Sequence, residues 1–206
     1  MGWVRVRAGV FALLLGVLAL LAGVIAPRAG RAADLFRLDQ RFGSIAFTVS
    51  NLGLFSARGD FARFVGRLTL DATDPAATRI AVTVAADSVH TPWDQETAML
   101  RSADFFDVAR FKDIRFVSRS VRPEGPGRYR ISGTLHLRGQ TRPIVLMAKL
   151  VHAARDPATG RQIDDFIVTG AVSRRAFGMT ADPLFIADKV RIAIEARVIL
   201  SPSHGG

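Results

Sequence analysis

The side chains from which this chain could build a reactive centre are four histidines, two carboxylate pairs and a scatter of serines. His136 and His152 fall in alternating segments far apart in sequence, His204 lies near the end of the chain, and His90 precedes a turn-like segment. None has a His, Cys, Asp or Glu partner at the spacings of a zinc site, so no metal centre is read here. Asp104 and Asp107 bracket two phenylalanines, and Asp164 and Asp165 are adjacent. Paired carboxylates can share acid–base work. Their settings here instead suggest a helix end and the start of a strand. No serine occupies a G-x-S-x-G elbow, and no glycine-rich loop opens a helix to cradle phosphate. No catalytic residue is assigned, and an enzyme is not expected.

The chemistry on offer is therefore apolar, and the elements that carry it come next. Of 206 residues, 49% are hydrophobic, and the chain contains no cysteine. The length suits one domain with a sizeable core, which must hold without disulfides. Arg5 and Arg7 precede an uncharged run from Ala8 to Ile25, and small residues follow at Gly30 and Ala32. That order is the order of a secretory signal, assigned to residues 1–32. An uncleaved anchor is the alternative, since an 18-residue run nears the length that spans a bilayer. Removing residues 1–32 lowers the net charge from +10 to +6, because four arginines leave. A basic surface of this kind attracts anionic head groups or nucleic acid, and export argues against nucleic acid. The expected location is the periplasm.

From residue 33 onward the chain reads as strand after strand. "SIAFTVS" alternates Ile45, Phe47 and Val49, and "RFVGRLTLD" places Phe64, Leu68 and Leu70 opposite Arg63 and Arg67. "RIAVTVAA" brings Val84 to one face, "DIRFVSRSV" brings Ile114 and Phe116, and "RYRISGTLHLRG" brings Tyr129, Ile131, Leu135 and Leu137. "KVRIAIEARVIL" sets Ile192 and Ile194 against Arg191 and Glu195. Only "PIVLMAKLV" is apolar on both faces, which predicts a covered or paired outer side. Period-two patterning marks strands buried on one side, and the Gly/Pro/Asp-rich links between them predict antiparallel neighbours. An all-β, antiparallel, eight-stranded barrel spanning residues 33–200 follows, with 201–206 as a loose tail.

One segment departs from this rhythm. "HTPWDQETAMLRSADFF" offers Thr91 as N-cap, Pro92 at the first helical position and Asp94 and Glu96 in the first turn, predicting a short helix over about 91–106. Phe105 and Phe106 end it as an apolar knuckle. A barrel of this size either fills its interior with side chains or holds one apolar ligand, and its physics leaves both outcomes open.

Several stretches read together resemble the YceI family of exported, polyisoprenoid-binding proteins with a lipocalin-like barrel. They include Gly59, Phe61, Phe64, Gly66 and Leu68; the run Leu100 to Asp107 followed by "IRFVS"; Gly133 to Gly139 with Thr141 and Pro143; and Arg174, Phe177 and Gly178. The resemblance extends from about Leu35 to Leu200. It implies a non-enzymatic protein that binds a polyprenyl phosphate or prenylated quinone in the barrel, with no other cofactor. The residues expected to line such a cavity are Phe47, Val49, Phe64, Leu68, Val84 and Phe116, with Leu135, Leu137, Ile192 and Ile194. The resemblance also sets Phe105 and Phe106 against the barrel end, as a plug, as cavity wall or as both. Members usually carry histidine at the position of Asn51 and many an acidic residue at that of Ala176. Asn51 hydrogen-bonds but takes no charge near neutral pH. Asn51 and Arg174 are the expected head-group contacts, an arginine fork being suited to phosphate oxygens. The partners implied are an isoprenoid lipid and a membrane surface, with a homodimer left open. The rival readings are an enzyme or redox accessory acting on prenyl lipids, and a structural, stress-related envelope protein with a filled core.

Overall fold

The computed structural model describes residues 34–39, 41–51, 55–70 and 77–200. The segments read as a signal and as a tail lie outside the described residues. The described residues form eleven strands: β1 (Asp34–Asp39), β2 (Gly43–Asn51), β3 (Phe55–Phe61), β4 (Phe64–Leu70), β5 (Arg79–Ala85) and β6 (Val89–His90) come first. Then follow helix α1 (Asp94–Arg101) and β7 (Asp113–Pro123), β8 (Arg128–Leu137), β9 (Gln140–Arg155), β10 (Gln162–Ser173) and β11 (Ile186–Leu200). Every pairing is antiparallel, in the order β1-β4-β5-β7-β8-β9-β10-β11-β2-β3-β6.

The count differs from the expected eight because long strands are interrupted. Asp39 pairs with Val65 and Ala46 with Asp60, so β1 and β2 together form one arm of a bent hairpin whose other arm is β3 and β4. A third break falls between β5 and β6, where Ala86–Ser88 makes a turn of 3₁₀ helix. Ser88 secures it, its hydroxyl donating to the Ala85 carbonyl at 2.7 Å and accepting from the Arg63 amide at 3.1 Å. Because β1 touches β4 while β2 bridges β11 and β3, the sheet curls round an interior.

Two close approaches require glycine. Gly59 lies directly opposite Phe47, whose ring covers it, and a Cβ there would come within 2.5 Å of that ring and 2.7 Å of the His90 carbonyl oxygen. A Cβ on Gly133 would meet the Phe116 ring at 2.5 Å and the Val117 carbonyl at 2.6 Å. Small residues at these points let large rings fold flat against the sheet.

The register defines two ends. The helix end gathers the last residues of β2, β8 and β10 with the first of β3, β7, β9 and β11, and α1 joins the chain there. The opposite end carries the start of β5, the β7–β8 and β9–β10 turns, and the end of β11.

The helix is shorter than the expected 91–106. Its N-cap is Trp93, not Thr91, and no side chain caps it. Thr91 is drawn inward: its hydroxyl donates to the Trp93 carbonyl at 2.9 Å and lies 2.9 Å from the Thr97 hydroxyl, both threonines being buried. Residues 102–111 continue as successive turns. Strand β9 also departs from expectation. Ile144, Leu146 and Ala148 are buried, but Val145 and Val151 on its outer side are exposed rather than covered.

Candidate functional site

The inward faces of the strands do not fill the interior. They enclose a cavity of about 480 Å³, within the range of sites that hold one small ligand. Its middle is aliphatic and aromatic, lined by Ile80, Val82, Phe116, Ile131, Leu135, Leu146 and Phe166 among others. Polar side chains lie towards the ends. At the helix end are Asn51, Arg58, Thr91, Glu96 and Arg174; at the opposite end are Thr78, Asp164 and Arg197.

Of the lining residues expected from sequence, Phe47, Val49, Leu68, Val84, Phe105, Phe106, Phe116, Leu135, Leu137, Ile192 and Ile194 border this space, as do Asn51 and Arg174. Phe64 does not. It is 3% exposed and packs in a smaller core with Ile45, Phe61, Val84 and Val89. Sequence reading missed the contribution of β10, whose Phe166, Val168 and Val172 form lining, because Gly170 interrupts an otherwise readable alternation.

The Phe105–Phe106 knuckle lies against the cavity. Phe105 is buried, while Phe106 stacks edge-on to Phe61 at 5.5 Å and to Phe47 at 6.3 Å between ring centroids. The turn that aims them is fixed by the Phe106 amide donating to the Leu100 carbonyl at 2.9 Å. Both rings thus form part of the cavity wall towards the helix end.

Arg174 does not face solvent; it is 2% exposed. Its Nε donates to the Ala187 carbonyl at 3.2 Å, Nη1 to Met179 at 2.9 Å, and Nη2 to Ile186 at 2.9 Å and Asp182 at 3.4 Å. Burial, followed by the neighbouring Arg175 charge, holds its pKa below the usual arginine value. Asn51 pairs with Ile186 across β2–β11, and its Oδ1 is a buried acceptor with no hydrogen-bond partner in the protein. Arg138, whose place in an alternating strand predicts solvent, instead reaches the carbonyls of Gly178 and Ala103.

The histidines and carboxylates do not gather at one place in the cavity wall. His90 lies 3.4 Å from Asp60, His136 meets Thr141, and no group of three metal-ligating side chains occurs among the described residues. Asp165 forms a two-point ion pair with Arg197 at 2.7 and 3.0 Å, and Asp107 is buried 3.4 Å from Arg110.

A curled antiparallel sheet around an apolar cavity, with the LRSADFFD turn at one end, matches a known family over residues 36–198, described as the YceI-like domain. The chain belongs to the YceI-like family. A UPF0312 protein of Serratia proteamaculans is 35% identical over 153 residues, 73% of this chain and 78% of that protein. Among solved structures, Burkholderia cenocepacia BcnA superposes with a TM-score of 0.68 at 18% identity, covering 78% of this chain and 99% of that one. A polyisoprenoid binding domain from Saccharophagus degradans, implicated in plant cell wall breakdown, gives 0.56 at 11% identity, covering 82% and 99%. These two likenesses concern the fold. Within the YceI-like frame, the paired glycine and phenylalanine of "RAFG" acquire a physical reason. Phe177 is 1% exposed in the main core, and Gly178 ends its 3₁₀ turn at φ +78°.

Proposed function

We propose that this YceI-like protein binds and shields a long-chain isoprenoid lipid, a polyprenyl phosphate or prenylated quinone, as a periplasmic carrier or store. The observation that carries this reading is the cavity itself: apolar through its middle, polar towards its ends, and running between the two ends of a curled sheet. Burial of apolar surface gains about 25 cal/mol per Å², so a tail hiding roughly 400 Å² gains about 10 kcal/mol. Association costs about 4–15 kcal/mol, which makes a multi-unit prenyl tail the minimum for firm binding. The unpartnered Asn51 Oδ1 suits a hydroxyl or N–H donor on the head. The guanidinium of Arg174, largely committed to backbone carbonyls, contributes a buried positive charge beside it.

The protein is a binding module rather than an enzyme in this reading, and needs no cofactor beyond its lipid. Residues 1–32 serve as the export signal, and residues 33–200 form the lipid-binding unit. The test is native mass spectrometry of protein purified from its own host. A co-purifying apolar mass supports the reading. Turnover of an added prenyl lipid supports an enzyme or redox accessory instead, and neither result favours a structural envelope protein.

A further inference from the structure

The three most exposed large apolar side chains among the described residues are Leu184 at 83%, Phe55 at 71% and Trp93 at 68%. All three lie at the helix end, with Phe185 and Met99 also exposed there. The described turns of the opposite end, at 124–127 and 156–161, expose no large hydrophobic side chain, and Phe42, beside the end of β11, is 36% exposed. Exposed valines and isoleucines elsewhere, such as Val117 and Ile167, stand on outer strand faces.

The turn carrying Leu184 and Phe185 is not loose. Arg174 grips the carbonyls of Asp182 and Ile186 on either side of it, and Arg175 Nη2 donates to the Pro183 carbonyl at 3.1 Å. A buried guanidinium thus holds two apolar side chains out in water, where burial would otherwise be favoured. Beside this turn runs a groove lined by Arg110, Arg138, Arg142 and Arg175. Among the described residues two carboxylates lie against these four: Asp107, 3.4 Å from Arg110, and Asp188, whose Oδ1 accepts from the Arg175 backbone amide at 3.0 Å. The exposed Asp94 and Asp182 lie on the rim as well, so attraction to anions comes from the groove and not from the whole end. The cavity reaches the same rim, since Asn51, Met99 and Ile186 line it.

We infer that the helix end is a membrane-docking face: Phe55, Trp93, Leu184 and Phe185 enter the bilayer interface while the arginine groove takes anionic lipid phosphates. Trp and other amphipathic or apolar side chains partition to that depth, and clustered arginines add affinity for anionic leaflets. The docking stands on the rim and groove; only its purpose, exchange of a tail between bilayer and cavity, rests on the function proposed above.

Residues 33–206 hold every described strand and both described core clusters, and Trp93 is their one tryptophan, so they serve as the test protein. Vesicles of phosphatidylcholine, with and without 30 mol% phosphatidylglycerol, are the probe. Partition into the anionic vesicles with a blue shift of Trp93 fluorescence is expected. Leu184→Ser with Phe185→Ser should weaken partition at least tenfold, and Arg142→Gln with Arg175→Gln should lower the anionic preference at least fivefold. Circular dichroism confirms that each variant is folded. Absence of wild-type partition, or partition unchanged by both variant pairs, overturns the inference. A dimer that Leu184→Ser with Phe185→Ser converts to monomer, without vesicle binding by wild type, also overturns it and makes the rim a contact between copies. Ligand content measured without vesicles reports the cavity separately, so an empty cavity with intact docking sinks only the carrier reading.

Discussion

Arg174 and Asn51 meet through one residue: the Ile186 carbonyl accepts from Arg174 Nη2 at 2.9 Å, and Ile186 is the β11 partner of Asn51 on β2. The buried charge and the buried unpartnered acceptor therefore sit at the same corner of the cavity. Any change at Arg174 acts first on the backbone of 179–187 and only then on a ligand.

Arg174→Ala should destabilise the fold by about 3 kcal/mol or more, since it leaves the carbonyls of Met179, Ile186 and Ala187 without this donor in a buried setting. Arg174→Lys should recover little, because a single ammonium cannot span acceptors set around a planar fork. Urea unfolding measures both. A variant as stable as wild type would show that the clamp is dispensable.

Phe106→Ala removes one ring from the Phe47–Phe61–Phe106 cluster and enlarges the cavity. A loss of about 2 kcal/mol is expected, below that of a fully buried phenylalanine because Phe106 is only half-buried. Leu135→Glu, which places a carboxylate in the apolar middle, should prevent either folding or uptake of an apolar dye. Thermal melts with dye titration check the pair.

Gly59→Ala and Gly133→Ala should each cost roughly 1–3 kcal/mol. In both, the added methyl meets backbone oxygen as well as an aromatic ring, so ring movement alone cannot relieve it. Gly160→Ala is a contrasting control: nothing lies near its Cβ, leaving only the strain of φ +67°.

Carboxylates held in their charged form make the fold acid-sensitive, Asp156 in the exposed 156–161 turn, through its hydrogen bonds from Thr159 and the Ala158 amide, among them. Asp165 is held below the usual carboxylate range by its hydrogen bond from Arg197, and Asp188 by the Arg175 amide and then the Ser173 hydroxyl. A depressed folded-state pKa gives stability that is present above the unfolded value, about 3.9. That stability is lost as pH falls through the lower folded values. Stability should therefore drop below about pH 4, and Asp188→Asn should flatten that drop while lowering stability at neutral pH. Urea midpoints at several pH values test the slope.

Much of the fold was legible because its cause is local. Ile131, Leu135 and Leu137 alternate with Arg130 and His136 in the chain, and the pleat sends them to opposite faces without further instruction. The same rule found most of the cavity wall. It failed at Phe64, whose inward side chain lies beyond the cavity in a second core, and at Arg138, which hairpin geometry turns at φ +50° towards Gly178. The helix start was misread because a threonine before proline satisfies capping rules locally, while the buried hydroxyl of Thr97 competes for it.

The chain by itself determined the inward and outward faces of its strands, its lack of disulfides and its YceI-like family, since each rests on residue type and spacing. Only the tertiary structure decided that the interior stays hollow, for packing depends on how far the sheet curls. It also decided that Arg174 is buried as a clamp, because its carbonyl acceptors arrive from five to thirteen residues downstream, across a turn that no local pattern encodes.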